Sequence, residues 1–241
     1  MNDMRNTIIF DIETVGEDFD GMDEVTRQEF TKRLRDSASS DEEYATLLAE
    51  AKGKMALSPL TGEIVALGIM DSDTGEGAVY YQSPGQRQEE AAVGGVKLVV
   101  MTEEEMLRQF WRLIEHARVI VGFNSRSFDA WWLSVRSAVH GIRPSVDLLE
   151  GRYLHQQRGA KHVDLLDQLT GYGAARGGSL HMWCRVFGIK SPKVSGMSGG
   201  EVGKAFAEGR FLDIARYNVD DLVAERELFL RWNQYLNFQK L

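Results

Sequence analysis

The sequence holds one cysteine, Cys184, in 241 residues. A single thiol excludes a disulfide framework and a cysteine-based zinc site. Long apolar runs are also missing, so nothing approaches the roughly 20 residues that a bilayer-spanning helix needs. Met1 to Arg5 leads into a short strand rather than an apolar signal region. These absences point to a reduced, cytoplasmic setting with no membrane contact. No internal repeat and no low-complexity tract occurs, which excludes solenoids and linker-rich chains. Positive charge is scarce too, with a net charge of −8. The shortage is uneven. Residues 1–100 carry 9 Lys+Arg against 20 Asp+Glu, and residues 118–204 carry 12 against 6. A basic middle in an acidic chain is compatible with contacting phosphates.

What is present is ordinary for a soluble domain, 43% hydrophobic and 27% charged. The length suits a single domain over 1–241 with a full core. Its organising stretch is Thr7-Ile8-Ile9-Phe10-Asp11-Ile12-Glu13-Thr14. Ile8 to Phe10 reads as a buried strand. Asp11 and Glu13 lie two apart, so on a strand they leave the same face. Two like charges at the end of a buried strand repel and resist desolvation. A divalent cation with oxygen ligands relieves both costs. Alone, the pair reads as readily as a strand running into solvent.

Two helical patterns follow, at about Glu24–Asp36 and Asp41–Lys52, with Asp41 as N-cap of the second. They form an acidic insertion over residues 16–53, expected to cover one edge of the sheet. Glu63–Met70 and Ala78–Tyr81 pair as a hairpin around the turn cluster Asp71–Gly77. Ser83–Gly95 reads as loop and Lys97–Val100 as a short edge strand. Thr102 and Glu105 form a capping box. The helix after them should bury Met106, Phe110, Leu113 and Ala117. Arg118–Asn124 is apolar enough for a central strand, and Asp129–His140 is a helix closed by Gly141. Residues 162–170 read as a strand or the start of a helix. Ser179 opens a helix burying Leu180, Trp183, Cys184 and Phe187, so Cys184 is a core thiol. The last element, about Leu212 to Leu236, is a long amphipathic helix.

Two further acids fall at telling places. Asp129 sits where a central strand gives way to a helix, the position at which open α/β sheets place ligand sites. By itself it reads as a helix cap. Tyr217 and Asp221 are four apart on the last helix and share a face, whereas Asp220 points elsewhere.

Together these segments resemble the DEDD superfamily of 3′–5′ exonucleases, the DnaQ-like group on the ribonuclease H-like fold. Phe10-Asp11-Ile12-Glu13-Thr14 matches the first motif, Asn124-x3-Phe128-Asp129 the second, and Tyr217-x3-Asp221 the third in its tyrosine-bearing version. Lys54–Met70, His162-Val163-Asp164-Leu165, Ser179–Gly188 and Gly196–Val202 resemble freestanding proteins related to the exonuclease domain of family B DNA polymerases. The likeness implies an α/β fold with a mixed central sheet flanked by helices and a helical insertion after the first strand. It implies that Asp11, Glu13, Asp129 and Asp221 hold two Mg²⁺ or Mn²⁺ ions, and that Tyr217 orients the attacking water. Thr14, Val15, Asn124 and Phe128 match positions near the substrate end. Trp131 and Trp132 suit either base stacking or core packing. The implied reaction releases nucleoside 5′-monophosphates from single-stranded 3′ ends, with DNA favoured over RNA. An RNA exonuclease and a non-catalytic nucleic-acid-binding or interaction subunit are the alternatives. The 16–53 insertion would be the contact for a replication or repair protein.

Overall fold

The computed structural model describes residues 7–86, 91–151, 156, 161–192 and 197–238. Part of the stretch 83–95, expected as loop, lies outside these residues, and within it Ala91–Val93 forms a strand. The first strand, β1 (Thr7–Gly16), leads into α1 (Glu24–Ser37) and α2 (Asp41–Gly53). Then come β2 (Gly62–Asp71), β3 (Gly77–Tyr81), β4 (Ala91–Val93) and β5 (Val96–Val100). They are followed by α3 (Glu103–Ile114), β6 (Val119–Gly122), α4 (Asp129–Val139) and β7 (His162–Asp164). Four helices complete the chain: α5 (Leu165–Leu169), α6 (Leu180–Phe187), α7 (Val202–Ala207) and α8 (Phe211–Tyr235).

The strands form one seven-stranded sheet in the order β4-β5-β3-β2-β1-β6-β7. β1–β2, β2–β3 and β4–β5 are antiparallel, whereas β1–β6, β6–β7 and β3–β5 are parallel. The sheet is therefore mixed, as expected. Alternation along β1 sends Ile9 and Val15 to one face and Ile8, Phe10 and Ile12 to the other. The first face packs against α6, α7 and α8, the second against α3 and α4. Two apolar layers thus sandwich the sheet, and β1 runs through the middle of both.

Four local readings need correction. β5 is not an edge strand: Gly94 and Gly95, both at positive φ (57° and 90°), fold Ala91–Val93 back onto it as the outer strand. The α2 cap is Ser40, not Asp41. Ser40 Oγ accepts the Glu43 N–H while the Glu43 carboxylate accepts the Ser39 N–H. On α3, Leu113 is 38% exposed and the inner face instead includes Leu107, Trp111 and Ile114. Trp111 donates from Nε1 to Ser137 Oγ at 2.7 Å, which turns that side of the helix inward. The insertion is anchored in the middle of the sheet, not at its edge. Its closing turn, Met55–Leu57, packs on β1 and β2, with Thr14 Oγ1 donating to the Ala56 carbonyl at 2.6 Å. Glycine permits this closeness, because a Cβ at Gly62 would lie 2.3 Å from the Val15 carbonyl oxygen. Among the described residues no helix is long and apolar enough to cross a membrane.

Candidate active site

Pairing between β1 and β6 runs only from Thr7–Val119 to Ile9–Val121. On the opposite side the β1–β2 register shifts between Glu13 and Thr14. Such irregularities re-aim side chains at the end of a strand. Asp11 and Glu13 lie in this interval, on the face covered by α8. Asp221 reaches them from α8, and one carboxylate oxygen from each of the three lies within 4.8 Å of the others. Asp129 enters beside β1, where its Oδ1 accepts the Ile12 N–H at 3.1 Å. Asp129 is thus the first residue of α4 rather than its cap, and it latches onto the strand that carries the other acids.

The inner face of α8 carries Tyr217, Asn218, Asp221, Leu222 and Glu225, all buried. Residues 217, 221 and 225 are successive turns of one stripe. Gly68 on β2 is the register partner of Asp11. A Cβ there would meet Asn218 Oδ1 at 2.1 Å and Leu222 Cδ1 at 2.6 Å. The bare backbone at Gly68 therefore lets α8 settle close enough for Asn218 Nδ2 to donate to Asp11 Oδ2 at 2.7 Å. Tyr217 and Asp221 interact along that stripe, and the carboxylate favours the protonated hydroxyl. Asp220 is half-exposed and off this stripe, as the spacing predicts.

Crowding sets the electrostatics. Burial, then the charges of Glu225, Glu13, Asp129 and Asp221, push Asp11 well above the usual carboxylate range. Burial, with Asp221 and Asp129, does the same to Glu13, against a weaker stabilisation by the Asn218 side chain. Asp129 is pushed up to about 7 by burial, although its own backbone N–H and that of Ile12 favour the charged form. Glu225 is raised by burial and by Asp129, Asp221 and Asp164, against a hydrogen bond from the Phe123 backbone. Partners identified for these groups are neutral amides, which soften the repulsion without cancelling charge. Tyr217 is pushed far above its ordinary value by burial and the surrounding acids, so its hydroxyl keeps its proton.

A second ring of contacts holds the loop between β6 and α4. Asp164 Oδ1 accepts from Asn124 N and Leu166 N, and Oδ2 from Arg126 N, each at 2.9 Å. These bonds fix Asn124 in the left-handed region at φ 57°. Ser125 Oγ lies 2.8 Å from His162 Nε2, and His162 Nδ1 lies 2.6 Å from the Leu148 carbonyl. Burial lowers His162 to about 4, so the ring is neutral. Nδ1–H donates to Leu148, and Nε2 accepts the Ser125 hydroxyl proton. Ser125 is fully buried, which makes the pair a structural clamp and not a nucleophile.

The structure brings Asp11, Glu13 and Asp221 into one cluster, with Asp129 and Tyr217 beside them. Of the positions matched to the substrate end, Asn124 is exposed and Phe128 is half-buried against Trp132. Val15 turns into the core, and the Thr14 hydroxyl is committed to Ala56. Trp132 is core, whereas Trp131 is 52% exposed. Cys184 is fully buried, and burial followed by the nearby Asp221 pushes its thiol up to about 11, as a core thiol requires. Sequence reasoning missed Asn218, Glu225 and Gly68. Glu225 had a signal, lying one further turn along the Tyr217–Asp221 stripe. Asn218 and Gly68 had none, because their importance arises from a contact across 207 residues.

Among curated proteins none matches the chain. A solved structure of the family B DNA polymerase from the hyperthermophilic archaeon Pyrobaculum calidifontis has a similar fold, with a TM-score of 0.58 and 20% identity. The match covers 94% of this chain and 24% of the polymerase chain, so the protein spans about a quarter of that relative. The shared fold is the ribonuclease H-like α/β architecture of the polymerase exonuclease domain. A family model described as a predicted 3′–5′ exonuclease related to the exonuclease domain of PolB matches residues 79–238. That span includes Asp129, Tyr217 and Asp221 and leaves Asp11 and Glu13 outside. The chain belongs to this family of predicted 3′–5′ exonucleases related to the PolB exonuclease domain.

Proposed function

We propose that the protein is a divalent-metal-dependent 3′–5′ exonuclease that acts on single-stranded nucleic acid, with DNA preferred over RNA, and releases nucleoside 5′-monophosphates. The observation that carries this reading is the convergence of Asp11, Glu13 and Asp221 within 4.8 Å. Acids crowded together in a buried site repel one another, and a cation that joins them relieves that repulsion. An all-oxygen donor set fits Mg²⁺ or Mn²⁺. Asp11, Glu13, Asp129 and Asp221 would hold two such ions. When bound, these supply a water activated for attack and charge stabilisation at the departing 3′-oxygen.

The remaining work falls to the chain's own residues. Tyr217 keeps its proton, so its hydroxyl donates a hydrogen bond and orients the attacking water rather than deprotonating it. Asp164 and His162 hold the loop that delivers Asp129. A single strand can thread its terminal nucleotide to acids set at strand ends, whereas a paired end must first fray, at about a few kcal/mol.

The test is degradation of labelled single-stranded and duplex DNA and RNA, with free and blocked 3′ ends, in Mg²⁺, Mn²⁺ and EDTA. The expected result is stepwise loss from free 3′ ends of single-stranded DNA in either metal. Activity in EDTA after verified metal removal, or equal cleavage of blocked ends, would overturn it.

A further inference from the structure

Asn218 is fully buried and sits beneath the acids, with Nδ2 2.7 Å from Asp11 Oδ2. Its Oδ1 has no hydrogen-bond partner among the described residues and lies against the Gly68 backbone. A flipped amide would set Oδ1 against Asp11 Oδ2, acceptor against acceptor, so only one orientation of the amide is favourable. Leu222 and the Gly68 backbone leave the group no room to swing aside. One oxygen of Asp11 is therefore committed to a neutral donor that is clamped in place, and the same amide stabilises Glu13. A lysine or arginine here would supply the positive charge itself. The amide leaves the charge in place and removes one lone pair of one oxygen, fixing the plane of the carboxylate.

That removal has a consequence for ion choice. Mg²⁺ binds six oxygens at about 2.0–2.1 Å and takes carboxylates one oxygen at a time, whereas Ca²⁺ accepts up to about eight and often uses both oxygens of a carboxylate. We propose that Asn218 is a positioning residue that restrains the Asp11 carboxylate against binding an ion through both oxygens and so selects a small octahedral cation over Ca²⁺. The inference rests on the metal-dependent reading of the site and adds its selectivity.

The test is calorimetric titration of Mn²⁺ and of Ca²⁺ into substrate-free protein, for the wild type, Asn218→Ala, Asn218→Leu and Gly68→Ala. Asn218→Leu keeps the volume and cannot donate. Gly68→Ala leaves the amide but drives a Cβ into its oxygen. Circular dichroism and metal-free melting report folding. The wild type should favour Mn²⁺ over Ca²⁺, and each folded variant should narrow that preference by about tenfold, the scale of losing a group that orients a ligand. A purely structural role would weaken both ions together and leave the ratio unchanged, which would overturn the proposal. So would failure of all three variants to fold. If the wild type bound neither ion, the metal-dependent reading itself would fall.

Discussion

Acids buried at two places in this protein meet opposite fates. Glu103, at the start of α3, is 5% exposed, yet it is surrounded by donors. Its Oε1 accepts from Ile64 N at 2.8 Å and Arg136 Nε at 2.9 Å. Its Oε2 contacts Arg136 Nη2 and His140 Nε2, each at 2.7 Å. Burial pushes Glu103 up, but Arg136, the Ile64 N–H and His140 outweigh it and hold the carboxyl below the usual range. Asp11 and Glu13 suffer the same burial, find an asparagine amide instead of a guanidinium, and are pushed up. The fold can neutralise an acid internally where the acid only fastens α4 to the sheet. At Asp11 and Glu13 the amide leaves the charges in place, which suits a site that takes up a cation.

The largest effect should come from deleting one of those charges. Asp11→Asn or Asp221→Asn should drop single-turnover cleavage to near background. Asp11→Asn should also raise the melting temperature of metal-free protein, because it relieves like-charge repulsion. A melting temperature that falls instead would break the contrast. Next, Tyr217→Phe keeps every carboxylate and loses one oriented donor. Its rate should fall by ~10²–10³, with Mn²⁺ affinity preserved.

Glu103→Gln should act only on stability. Breaking this largely buried pair costs on the order of 3 kcal/mol. Urea unfolding should register that loss, while Mn²⁺ titration remains unchanged. A change in Mn²⁺ affinity would show that the two regions are not independent.

A smaller, continuous effect is the slope of stability with pH. Asp129 moves from 3.8 in the unfolded chain to about 7 in the fold. Between those values the folded state keeps a proton that the unfolded state has lost. Its contribution to stability therefore falls as pH rises from about 4 to 7. Glu103 has the opposite sign: its stabilisation is present above the unfolded value and is lost as pH falls through the lowered folded one. Metal-free melts across this range should show the Asp129 decline, and saturating Mn²⁺ should flatten it. The smallest effect belongs to Asp220→Asn, which neighbours Asp221 but lies off the inner stripe. Cleavage by this variant should stay within about twofold of wild type. A dead Asp220→Asn beside an active Asp221→Asn would mean that the α8 register is wrong.

Much of this was legible in the chain. The D-x-E spacing on an apolar strand and the four-residue spacing of Tyr217 and Asp221 follow from period 2 and period 3.6. The structure places both on the elements those periods demand. The pairing of Gly68 with Asp11 was not legible, since the insertion separates β1 from β2 and nothing in their spacing reveals which glycine will face a helix 150 residues later. Asn218 looked like filler between Tyr217 and Asp221, because its value depends on how closely α8 approaches β2. Leu113 misled for a related reason: helical periodicity allows several adjacent stripes, and the indole of Trp111 bonded to Ser137 decides among them.

The latch between Asp129 and the Ile12 amide closes a seam inside the sheet. β1 pairs with β6 only as far as Ile9, so a strand edge opens in the interior and a side chain completes it. A seam closed by one carboxylate oxygen can part without unzipping the ladder on either side. Solvent exchange at the Ile12 amide should thus be governed by the motion of Asp129 and not by global unfolding. A cation drawn to the other oxygen of Asp129 would pull α4 toward β1 and slow that exchange. Under the proposed function, the Ile12 amide would report whether the site is loaded.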